Sequence, residues 1–261
     1  MNGFAIFLYL WAAGISGALT IVPPPDLGRR FFRFHAGLLL VLVTAATAVG
    51  RPLFSGPSGG TLGTLVDLLA WVLVADVVAI SMLVFSRTRP VVSMAFLLPV
   101  VTGAMFATAV ALSAAPGRPG TAALLTLHFV SCGALLGSVL VAMNLGHSYL
   151  QNAALSFDHL ARLAKLFLGS AIAKSVVSLA LLAPAAGRWW PQLLDTFDGM
   201  LIGVRVVAGL AGPIVLAAMV LSCARSRANQ SATGILYAAV VFVLVGEAIS
   251  MYLTLGRGIF A

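Results

Sequence analysis

The chain has 261 residues, of which 61% are hydrophobic and only 8% charged, where a soluble domain carries about 25% charged residues. That excludes a water-solvated globule and predicts a polytopic membrane protein, one transmembrane domain over residues 1–261. The formal charge of +8 would suggest nucleic acid in a soluble protein, but here it reads as the basic bias of cytoplasmic loops, with the lipid bilayer as partner and no nucleic acid.

A spanning helix needs about 20 apolar residues. Runs of that length recur at 3–22, 34–50, 62–86, 91–114, 120–146, 163–185, 198–222 and 232–254. The first run lacks the basic n-region of a secretory signal and is expected to remain as a spanning helix. The breaks VPPPDLGRR, GRPLFSGPSGG, SRTRP, APGRPG, APAAGRWWP and SRANQS are rich in turn formers. Between the fifth and sixth runs, SFDHLARLAKLF offers Ser156 as an N-cap and apolar residues at helical spacing. It predicts a helix lying on the inner membrane surface before the sixth span. The expected fold is an all-α bundle of about eight transmembrane helices.

Nine basic residues fall in one set of loops (Arg29, Arg30, Arg33, Arg87, Arg89, Arg162, Lys165, Arg225 and Arg227) and four in the other (Arg51, Arg118, Arg188 and Arg257). This bias predicts a bacterial cytoplasmic (inner) membrane protein with both termini outside, and it puts Trp189 and Trp190 in the outer interfacial belt. Gly133-x-x-x-Gly137 and Ala208-x-x-x-Gly212 are spacings that let helix backbones approach closely. Cys132 and Cys223 form neither a CxxC pair nor a disulfide framework. No HExxH, P-loop or GxSxG stretch occurs, which leaves metalloprotease, nucleotide and serine-hydrolase chemistry without residues.

Five charged residues lie inside the runs: Asp67, Asp76, Lys174, Arg205 and Glu247. Each costs on the order of 2.5–3.5 kcal/mol at a helix centre, so each is expected to face the protein and find a partner. At 1.5 Å per residue, Arg205 and Glu247 both come out roughly 12 Å below the outer surface on consecutive antiparallel helices, which predicts an ion pair. Asp76 and Lys174 come out near the middle of their spans, Lys174 between Ser170 and Ser178, and are expected to meet there. Asp67 and His128 fall in the outer layer. Together these groups read as a proton route.

His128 and His147 are separated by roughly 28 Å along the fifth span, so they belong to different sites. On the inner side His35 matches His147 in depth. That pair predicts the iron ligands of a single haem b, with Arg30 and Arg33 meeting its propionates. A quinone site built from His147, Tyr149, Asn144, His35 and Phe34 is the other reading of the same cluster.

NLGHSYL at 144–150 and SRANQSATGILYAAVVFVLVGE at 226–247 resemble stretches of a group of uncharacterised bacterial eight-helix integral membrane proteins. The resemblance implies the fold and brings no activity. In helix number the chain also looks like the quinone-binding membrane anchors of polysulfide-reductase type.

The leading expectation is a membrane subunit of an electron-transfer (respiratory) complex with redox partner subunits. It would bind quinone or one haem b near the cytoplasmic face and provide the proton route. A proton-coupled small-molecule transporter is the alternative, with Asp76 and Lys174 as coupling site. Discontinuous helices near Gly209, Gly212 and Pro213 would favour it. A structural assembly factor, its buried charges merely locking the bundle, is the third reading.

Overall fold

In hydrocarbon a chain must satisfy its own backbone N–H and C=O groups, and a single segment does so only as a helix. Each of the eight apolar runs contains a helix among the described residues. The computed structural model describes residues 3–22, 24–50, 60–85, 95–151, 158–193 and 197–258. In chain order these form α1 (Gly3–Thr20), α2 (Pro24–Val49), α3 (Gly60–Phe85), α4 (Leu97–Ala114), α5 (Pro119–Gln151) and α6 (Asp158–Leu193), then α7 (Phe197–Arg225) and α8 (Asn229–Gly256). Each contains a stretch long and apolar enough to cross a membrane, and no strand occurs among the described residues. The protein is a multi-pass membrane helix bundle. Arg51, Arg87, Arg89, Ser156 and the side chains of Arg188, Trp189 and Trp190 lie outside the described residues.

The segment beginning at Asp158 is not a separate surface helix. It forms the first turns of α6, a continuous helix of 36 residues. His159, Leu160, Leu163, Ala164 and Phe167 are buried in the bundle. An apolar stripe at helical spacing serves equally well against neighbouring helices or a headgroup layer, and here the neighbours take it.

The centre of the bundle is α5, which packs against α1, α4, α6 and α8, whereas α3 packs on α2 and α4. Close approach explains the glycines. Gly14 of α1 lies against both Gly133 and Gly137 of α5, and a Cβ at Gly133 would stand 2.6 Å from the Leu10 carbonyl oxygen. At the other end of α5, a Cβ on Gly146 would stand 2.8 Å from Thr233 Oγ1 of α8. The GHSYL and SATG stretches are therefore packed together.

Candidate functional site

Four helices deliver ionisable side chains to one buried point. Glu247 of α8 receives two cations: Lys174 Nζ of α6 lies 3.0 Å from Oε2, and Arg205 Nη1 of α7 lies 3.0 Å from Oε1. Lys174 and Glu247 are fully buried, and Arg205 is 1% exposed. His128 of α5 completes the group. Its carbonyl oxygen accepts from Lys174 Nζ at 3.0 Å, and its Nε2 lies 3.1 Å from Nζ and 3.0 Å from Ser250 Oγ. Arg205 Nη2 donates to Ser178 Oγ at 3.5 Å, and the fully buried Cys132 thiol stands close enough to Glu247 to interact with it electrostatically.

Local sequence explains why these groups can come so close. Arg205 begins a π-helical segment, Arg205–Ala211, inside α7. Pro213 follows it, and a proline ring cannot tolerate the carbonyl four residues back in a regular α-helix. The widened turn removes that conflict, and Gly212 N–H bonds to the Val207 carbonyl, five residues back. Gly209 then makes room for Arg205 and for α8 at once. A Cβ there would stand 2.9 Å from Gly246 Cα and 3.0 Å from Arg205 Cδ. Two bare backbones let the guanidinium fold into the α7–α8 seam beside Glu247.

The arrangement holds three groups of full charge, two cations and one anion, with His128 between Lys174 and Ser250. An ammonium has three N–H donors, and Lys174 has three acceptors in reach: Glu247 Oε2, the His128 carbonyl and His128 Nε2. Moving one proton from Nζ to Nε2 leaves an amine and an imidazolium, with both Lys174 Nζ and Ser250 Oγ within hydrogen-bond distance of the new N–H. Loss of that proton would bring the cluster to charge balance. The chemistry available is proton binding and release.

The expected Arg205–Glu247 pair is thus present, and His128 joins it. The expected Asp76–Lys174 contact is not made. Asp76, half-buried on α3, accepts a hydrogen bond from Thr102 Oγ1 of α4 at 2.6 Å. The reason is lateral: α3 sits on α2 and α4, while α6 sits on α5 and α7. Similar depth did not bring the two together. Asp67, half-buried, lies on the same peripheral helix.

Towards the face where α8 begins, His35 is fully buried. Its Nδ1 donates to the Phe31 carbonyl at 2.8 Å, and its Nε2 accepts from Asn144 Nδ2 at 3.2 Å. His147 is exposed, Tyr149 is buried, and Arg30, Arg33 and Phe34 are exposed. The Arg33 guanidinium lies 6.0 Å from the Phe85 ring centre. An apolar cleft of about 200 Å³ runs between α1, α4 and α5, past Gly14, Gly103, Phe129 and Leu166, and no polar side chain lines it.

Cys132 and Ser250 escape a reading confined to charged residues and histidines. Helical spacing marks them in retrospect: Cys132 stands four residues after His128, and Ser250 three after Glu247. Compared with models of protein families, with curated proteins and with solved structures, the chain matches none of them.

Proposed function

We propose that this membrane protein is a proton-coupled transporter, in which a small solute crosses as Lys174, Glu247, Arg205 and His128 take up and release a proton. The observation that carries the reading is the buried excess of one cation. Two positive groups share one carboxylate, and none of the three side chains is more than 1% exposed. An unpaired charge inside a membrane helix is costly, so the cluster is poised to exchange a proton. The π segment that carries Arg205 supports coupling to movement, because such breaks are frequent at functional sites.

The electron-transfer reading rests on His35 and His147 and has no comparable support. Both ring nitrogens of His35 have protein partners, and His147 points away from the buried core.

Proton binding inside a membrane displaces charge, so a pH jump on protein adsorbed to a supported membrane gives a transient current. Wild-type protein should give one, and Lys174→Met should lose it. Equal currents from the two would remove the reading. Quinone or haem in the purified protein, without a transient, would instead favour the electron-transfer alternative.

A further inference from the structure

A buried proton site needs a way to water, and the two directions along the bundle differ. Towards the face where α8 ends, Glu247, Ser250 and Thr254 follow at spacings of three and four, on one helical face. Ser250 Oγ touches His128 Nε2 at 3.0 Å. Thr254 is 3% exposed, and its Oγ1 has no hydrogen-bond partner among the described residues. Threonines inside helices usually return the hydroxyl to the carbonyl one turn back, as Thr47, Thr108, Thr126 and Thr233 do here. Thr254, in a second π segment, Tyr252–Gly256, does not. A buried hydroxyl without a partner costs about 1–3 kcal/mol, which favours a water beside it. One turn further, exposed Arg257 holds Asp198 with Nη2 2.8 Å from Oδ2. From Glu247 to Gly256, where α8 ends, the rise is roughly 14 Å.

The opposite direction is longer and closed. Ser138 and Ser170 meet at 3.2 Å one turn below Lys174. Beyond them Val141, Leu145, Leu163, Phe167, Leu236 and Val243 are all fully buried. From Glu247 to Asn229, where α8 begins, the rise is roughly 27 Å. The next polar pair, His35 and Asn144, lies within this belt, roughly 9 Å along α5 from Ser138 and beside Leu145, with its ring nitrogens and amide already hydrogen-bonded.

We infer that water reaches the ionic centre from one side only, through Thr254 and Ser250 at the face where α8 ends, with Thr254 as a water-binding site and the apolar belt as the seal. This rests on the proton-exchange reading of the centre, and it names the side from which the exchanged proton comes and goes. A static centre with one open and one sealed side is one of the two states that alternating access requires.

Thiol labelling tests it. Thr254→Cys and Leu236→Cys are made in a Cys132→Ser, Cys223→Ser background and placed in lipid nanodiscs, where both faces meet solution. A charged, water-borne methanethiosulfonate should modify Thr254→Cys about tenfold faster or more than Leu236→Cys, since thiol reactivity follows access. Equal rates overturn the inference. Labelling reports water whether or not Lys174 exchanges a proton, so failure of the path and failure of the proton centre are told apart. Should Thr254→Cys fail to fold, Thr254→Phe in the natural chain takes its place. The ring should slow the pH-jump transient, and an unchanged rate in folded protein overturns the inference equally.

Discussion

Lys174 and Arg205 hold opposite oxygens of one carboxylate, each at 3.0 Å from Glu247. This sharing makes the three residues unequal. Glu247→Gln leaves two buried cations with no anion, whereas Lys174→Met leaves one complete Arg205–Glu247 pair. Breaking a buried ion pair costs about 3–5 kcal/mol, and replacing a charge without orphaning its partner costs far less. Glu247→Gln should therefore lower the thermal midpoint in detergent severely and Lys174→Met only slightly. If Glu247→Gln melts with the wild type, the carboxylate is not the anchor of the cluster.

How much of this was readable beforehand follows from what depth can and cannot say. Arg205 and Glu247 lie on helices joined by a short turn, so equal depth there nearly guarantees adjacency. Asp76 and Lys174 lie on α3 and α6, which are separated in sequence by two whole helices. Depth then says nothing about which side of α5 each occupies. The eight spans were legible because twenty apolar residues in a row admit few alternatives. The π segments were not, since Gly209 and Pro213 mark a break without saying which way the chain will relieve it. Ala208-x-x-x-Gly212 pointed to the right seam, but the closest approach is Gly209 on Gly246, two isolated glycines on different helices.

That seam gives a second prediction. A Cβ at Gly209 meets Gly246 Cα at 2.9 Å as well as the Arg205 side chain. Gly209→Ala should force α7 and α8 apart and cost about 1–3 kcal/mol, the usual range for overpacking. Gly169 and Gly234 have open space where a Cβ would go. Alanine at either should be neutral or gain about 0.5–1 kcal/mol from helix preference. Unfolding by graded denaturant of the three single variants provides the comparison, and equal effects at Gly209 and Gly234 would contradict the packing argument.

Asp76 offers a test of separateness. It accepts a hydrogen bond from Thr102, and α3 does not carry it to the ionic centre. Asp76→Asn keeps an acceptor oxygen for the threonine hydroxyl. The pH-jump transient of Asp76→Asn should match that of the natural protein, while Lys174→Met loses it. A transient abolished by Asp76→Asn would mean that the proton path runs through α3 after all.

His35 is expected to act as a structural element by the same reasoning. With Nδ1 donating to the Phe31 carbonyl, His35 is the neutral tautomer whose Nε2 carries the lone pair, and Asn144 donates to it. This bond ties α2 to α5 within the apolar belt, beside Leu145. Asn144→Leu removes the donor and leaves a buried ring nitrogen unsatisfied, at a cost of about 1–3 kcal/mol. Because His35 is remote from the centre, the variant should be less stable yet keep the pH-jump transient of the protein that folds. Were His35 instead an iron ligand, freeing its Nε2 would not weaken the protein. A reduced-minus-oxidised difference spectrum would then show a haem band that His35→Ala removes. A stability loss with Asn144→Leu and a featureless difference spectrum together assign His35 to the α2–α5 contact; the haem band would reassign it to a cofactor.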